Sequence, residues 1–177
     1  WFPNKVERLR AAATADPDAD MLAHDEFETA LDGRRVRKDL HLLHSPDKPL
    51  LPQLFRGCFL STSAVAVKTA LLKSVGGFDA TLPYAQDYDL WLRLAPTARL
   101  RFIAEPLSLY VLRRGAISDN LDGRRLCMRR IMERHRPVLA GLVGPERAAA
   151  MALRFALGVE WNHLRALAAR RRLGAAA

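Results

Sequence analysis

The residues best placed to do chemistry lie between Gly76 and Leu94. Gly76-Gly77 break a helix and open a loop that ends in a polar corner, Gln86-Asp87. A helix then starts at once, with Tyr88, Trp91, Leu92 and Ala95 at i, i+3, i+4 and i+7. That spacing anchors the helix in a core and leaves Asp87 where loop meets helix. There the carboxylate faces the positive end of the helix dipole and unpaired N–H groups, which favour its ionised form. An ionised, positioned carboxylate is what a general base requires. From position alone, the simpler role is helix capping, the usual duty of an Asp at a helix start.

Other constellations are weaker. His41 and His44 stand three apart, but no Cys or carboxylate set completes a metal site, so both read as surface or loop histidines. Ser61, Thr62 and Ser63 lack the G-x-S-x-G elbow and read as strand residues. Neither a Walker loop nor a G-x-G-x-x-G fingerprint occurs. Asp89 and Arg93 form an i, i+4 ion pair worth roughly 0.3 kcal/mol on an exposed helix, with the orienting of a ligand phosphate as a second role. Arg113 and Arg114 sit in a glycine-containing loop, either solvated or forming an anion clamp.

These residues need a scaffold. Trp1 to Ala15 reads as a helix with Pro3 in its first turn, closed by Asp16-Pro17-Asp18. Met21 to Phe27 is a short strand, polar at its far end, and Arg34 to Leu40 is its return partner across Asp32-Gly33. Residues 44–52, with Pro46, Pro49 and Pro52, read as an ordered loop. Leu60 to Val67 looks like a buried strand. Thr69 then caps a helix, Ala70 to Val75, which Gly76-Gly77 stop. The helix from Asp87 to Ala95 follows. Arg101 to Ala104 and Leu107 to Leu112 are strands separated by Pro106. Residues 120–136 and 145–172 read as amphipathic helices split by Pro137 and by Gly144-Pro145.

The 177 residues suffice for a domain with a core, and half are apolar. No apolar run approaches the ~20 residues of a membrane span. Two cysteines are too few for a disulfide framework, which points to a reducing compartment. The start on Trp1 without Met suggests a fragment. Of the net charge of +9, residues 119–177 carry +7, from 12 Arg against five acids. The arginines are scattered without interleaved aromatics, which disfavours nucleic acid. Leu126, Ile131, Leu153, Phe155, Leu157 and Trp161 beside them suit anionic lipid head groups, or packing against a partner.

At Gly76-Gly77-Phe78-Asp79 and Gln86-Asp87-Tyr88-Asp89-Leu90-Trp91-Leu92-Arg93 the sequence resembles the family 2 glycosyltransferases of the GT-A fold. Ser63-Ala64-Val65, Lys68, Val75 and Leu82 fall in the same register, as do Glu105-Pro106-Leu107, Tyr110 and Ile117-Ser118 further on. The resemblance covers residues 1–118 and leaves 119–177 unmatched. It implies an α/β fold: a partial GT-A mixed sheet with helices, the acceptor-side half of the domain, followed by a C-terminal helical extension from 119 to 177. It implies inverting transfer of a sugar from a nucleotide-diphospho-sugar to a glycan or lipid-linked acceptor hydroxyl, with Asp87 as general base. Gly77, Phe78, Asp79, Gln86, Trp91, Arg93 and Arg113 would contact substrate. A divalent metal, Mg or Mn, would neutralise the leaving diphosphate.

Three departures qualify these expectations. The family's metal-binding D-x-D motif is absent, as if cut off just before Trp1, so the fragment is expected to be inactive alone. Gln86 replaces the family's Glu before the base. Val111 and Arg113 replace its Arg and His after the Tyr. The expected setting is cytoplasmic, with peripheral contact at the inner membrane face through 119–177. The rival reading is a non-catalytic basic helical module that binds an anionic membrane surface, nucleic acid or a partner protein.

Overall fold

The computed structural model describes residues 1–29, 33–112 and 120–174, with side chains as far as residue 168. In chain order these are α1 (Lys5–Ala15), β1 (Met21–Thr29), β2 (Arg35–Lys38), α2 (Leu50–Arg56), β3 (Val65–Val67), α3 (Thr69–Ser74), α4 (Gln86–Leu94), β4 (Leu100–Val111), α5 (Leu121–Val143) and α6 (Pro145–Gly174). Short 3-10 turns occupy Leu40–Leu43 and Thr62–Ala64. The protein therefore has a mixed α/β fold with a C-terminal helical region, the class expected from its sequence. It divides into two compact units, Trp1–Asp79 with Asp87–Ala116 and Ala80–Gln86 with Ile117–Ala177.

In the first unit β1 is the central strand. β4 pairs parallel to it along its whole length. The other edge of β1 is shared by β3, antiparallel to Met21–Ala23, and β2, antiparallel to Glu26–Thr29. Residues 21–26 are all buried, so both faces of β1 are covered. The apolar core around it comes from Met21 and Ala23, from Leu51, Leu54 and Phe55 of α2, from Leu90, Leu92 and Leu94 of α4, and from Leu107. The buried Tyr88 hydroxyl donates to the Leu54 carbonyl at 3.0 Å and ties α4 to α2.

Pro106 does not divide two strands. β4 is continuous, and its 12 residues run beside the nine of β1. The three extra residues form register shifts opposite His24–Glu26. A bulge absorbs a residue that has no N–H to give the ladder. The bulge also receives the start of the chain. The Phe2 N–H donates to the Leu107 carbonyl at 3.0 Å, and Arg8 Nε donates to Glu105 Oε2 at 2.7 Å.

Other expectations are corrected by local geometry. The strand expected over 60–67 is confined to Val65–Val67, because Thr62–Ala64 coil into a 3-10 turn. Residues 44–52 are not all loop: α2 begins at Leu50 and takes Pro52 within its first turn, where its missing N–H costs nothing. Lys68, not Thr69, occupies the cap position of α3, and no side chain caps that end. Gly76 and Gly77 do stop α3, with φ of 77° and 69° that only glycine adopts freely.

The second unit is built on a helical hairpin. Cys127, Ile131, His135 and Leu139 recur every fourth residue on the buried face of α5. Ala148 and Ala152 of α6 are buried with them and allow close approach. Pro137 does not end α5, which continues to Val143. An internal proline costs about 3 kcal/mol, and full burial of Leu139 beyond it offsets the loss. The break falls at Gly144. Tyr84 packs its ring on Gly123, where a Cβ would come within 2.4 Å of it, and its hydroxyl accepts from Asn120 Nδ2 at 2.7 Å. Among the described residues no helix is long and apolar enough to cross a membrane.

His24 gives the fold a pH dependence. It is fully buried, its Nδ1 lies 2.6 Å from the Asp25 carbonyl, and burial lowers its pKa below the ordinary 6.5. Unfolding releases a histidine that takes up a proton more readily, so the stability held above pH 6.5 is lost as pH falls below it. Urea titrations between neutral and acid pH should show a shallower acid loss in His24→Gln than in the wild type. Parallel slopes would refute the assignment.

Candidate functional site

Asp87 stands in the first turn of α4. The residue two before it, Ala85, has φ 56°, a left-handed conformation that costs an L-residue of the order of 1 kcal/mol. Asp87 Oδ1 accepts from the Tyr88 N–H at 2.8 Å, and Oδ2 accepts from the Thr62 hydroxyl at 2.5 Å. The carboxylate is thus held at both oxygens, and the residue is half-buried. Each carboxylate oxygen has a second lone pair available for a proton.

The turn that supplies Thr62 is itself fixed from beneath. Lys5 Nζ donates to the Ser63 carbonyl and lies 4.1 Å from the centroid of the Trp1 ring. Burial pushes the Lys5 ammonium below its usual range, against the attraction of Glu26. Burial also raises the pKa of Glu26, opposed mainly by a hydrogen bond from Ser61. Ser61, Thr62 and Ser63 are therefore held by Glu26, Asp87 and Lys5 respectively. The sequence offered no signal for this set, because the partners are 25 to 58 residues apart.

Arg93 is engaged inside the first unit. Nε donates to Asp89 Oδ2 at 2.8 Å, Nη1 to the Val75 carbonyl at 2.6 Å and Nη2 to the Gly77 carbonyl at 2.7 Å. The Asp89 side chain has no exposed surface. This is a buried ion pair that clamps the Gly76-Gly77 turn onto α4, not an exposed helix pair. Trp91, one turn beyond Asp87, is buried, and its Nε1 has no hydrogen-bond partner among the described residues. Phe78 is half exposed, and Asp79 and Gln86 are half-buried. The structure thus brings Gly77 and Arg93 together, with Asp87 on the same helix. Arg113 lies outside the described residues.

His41 is not a plain loop histidine. Its ring Nδ1 lies 2.7 Å from Asp25 Oδ2, and its backbone N–H donates to Asp25 Oδ1 at 3.0 Å. Asp25, Asp39 and His41 offer ligand atoms within 4.8 Å of one another. Arg37 occupies the same ground: Nε donates to Asp39 Oδ1 at 2.5 Å, and Nη2 is 3.6 Å from Asp25 Oδ2. The Arg37 guanidinium already stands against both carboxylates and would oppose a cation there, so the set does not fit the Mg or Mn ion expected from the resemblance. A carboxylate 16 residues upstream, across a hairpin, was the signal available for this cluster.

No protein-family model matches the chain. Over 121 residues the chain is 26% identical to an uncharacterized glycosyltransferase of Rickettsia typhi, an alignment that covers 60% of this chain and 35% of the relative. The chain spans roughly a third of the length of that curated relative.

Arg93→Ala removes the guanidinium paired with buried Asp89 and three donors at once. It should destabilise the first unit by ~3–5 kcal/mol. Arg93→Lys should recover only a small part, because an ammonium cannot span the three acceptors. Denaturant midpoints of the two variants test this. A loss below ~1 kcal/mol for Arg93→Ala would reduce the clamp to a surface pair.

Proposed function

We propose that this chain is the acceptor-side part of an inverting glycosyltransferase of the GT-A fold, family 2 in type, and that Asp87 is its general base. The observation that carries the reading is the carboxylate held at both oxygens at the head of α4, within the ordered motifs Gly76 to Asp79 and Gln86 to Arg93. The relative named a glycosyltransferase supports sugar transfer in general.

In this reaction Asp87 takes the proton of an acceptor hydroxyl. The acceptor oxygen attacks the anomeric carbon from the face opposite the leaving group. The bond from that carbon to the phosphate oxygen breaks, the nucleoside diphosphate leaves, and the configuration inverts. The Thr62 hydroxyl and the Tyr88 N–H keep the Asp87 carboxylate in place, and each oxygen retains a lone pair for the proton. The Arg93 clamp positions the Gly77–Asp79 loop, which would line the sugar and acceptor cleft. Gln86 would shape the acceptor side, whereas Trp91, buried in the core, would act only through the packing of α4. The divalent ion implied for the diphosphate would draw on ligands outside the Asp25, Asp39 and His41 set. The donor would be a nucleotide-sugar, the acceptor a glycan or lipid-linked hydroxyl, and the setting cytoplasmic.

In the full-length protein, Asp87→Asn should lower kcat by ~10²–10⁴ with donor binding unchanged. Thr62→Val should lower kcat by a smaller factor, and Thr62→Ser should restore it. Retained turnover in Asp87→Asn with intact donor binding would remove Asp87 from the base role.

A further inference from the structure

α6 carries a face that the hairpin does not use. Leu153, Leu157, Trp161 and Leu164 recur at spacings of four, four and three, and each is 58–62 % exposed. They lie on one side of the helix, opposite the buried positions Ala148 and Ala152 and half-buried Val159, His163 and Ala166. Arg147, Arg154 and Arg165 are exposed and spaced by seven and eleven, which sets all three along one edge of the apolar stripe. Of the acids on α6, Glu160 pairs with Arg125 and Arg129 of α5. Glu146 lies in the first turn.

We infer that this face of α6 lies on an anionic lipid surface, with the leucines and Trp161 in the head-group boundary and the arginine edge against lipid phosphates. A row of exposed apolar side chains beside a cationic edge is the pattern of a helix lying in the membrane plane. An indole at its margin suits that boundary, with its ring in the apolar zone and its N–H in the polar one. Charge selects this occupant over a second copy of the chain. Residues 119–177 carry +7, so two such faces would oppose like-signed edges, while anionic lipid supplies the missing counter-charge. The inference is independent of the role of Asp87.

The test is co-sedimentation of the purified chain with vesicles of phosphatidylcholine alone or mixed with phosphatidylglycerol. Binding is expected to the mixed vesicles only and to weaken with added salt. Leu153→Gln/Leu157→Gln/Leu164→Gln should lower the partition coefficient by roughly tenfold or more, with helical circular dichroism kept, since these positions are exposed. Arg154→Gln/Arg165→Gln, which leaves the apolar stripe intact, should lower it by about tenfold. Absence of binding to the mixed vesicles, or equal binding to both kinds, would overturn the proposal. So would a dimer in sedimentation velocity that the leucine variant dissociates while vesicle binding is absent.

Discussion

A carboxylate with no exposed surface must be paired, and Asp89 is paired with Arg93. Much of the first unit's organisation near α4 follows from that requirement. Arg93 can reach Asp89 from one turn away, which leaves its two terminal nitrogens directed at the chain beyond the helix. They meet the carbonyls of Val75, the C-cap of α3, and of Gly77 just beyond it. One guanidinium thus satisfies a buried charge and closes the α3 terminus. It also fixes where the Gly77–Asp79 loop departs. The two left-handed glycines set the backbone path that presents both carbonyls to the same side chain.

The polar residues of β1 show the same economy at larger scale. His24, Asp25 and Glu26 are buried in succession on a strand covered on both faces. Each would be costly if isolated. Glu26 has Ser61, Ser108 and Lys5 near it, and Asp25 has His41 and Arg37. These contacts order the 3-10 turns at 40–43 and 62–64, and the second of those turns delivers the Thr62 hydroxyl to Asp87. Buried charge in the sheet is therefore connected to the placement of one half-buried carboxylate through a short, identifiable chain of hydrogen bonds.

What could be read in the sequence was what repeats locally. The 3.6-residue period placed α4 within one residue, and paired glycines marked the end of α3. The Asp32-Gly33 turn signal found most of β1 and all of β2. The errors lie where tertiary contact overrides a local signal. Pro137 reads as a stop, yet burial of Leu139 carries α5 past it. Pro106 reads as a divider, yet a bulge in β4 accommodates it. Thr62 reads as a strand residue, because its partner Asp87 is distant in sequence. Asp87 itself was legible as a carboxylate at a helix start, but the hydrogen bond that separates a held carboxylate from a simple cap was not. His41 looked isolated, since its carboxylate partner lies on a strand it meets only after the hairpin folds.

The three surplus residues of β4 make this strand a counted segment. Three is odd, so the side chains beyond the bulge face the opposite way from an unbulged continuation. Leu107 and Ser108, adjacent in sequence, are both buried there. Loss or gain of one residue between Ile103 and Ser108 would reverse the facing of everything up to Val111. It would also carry away the carbonyl that anchors Phe2 and the carboxylate that anchors Arg8. Related chains should therefore vary in the composition of this stretch and hold its length, whereas the loops at the sheet's ends are free to change length.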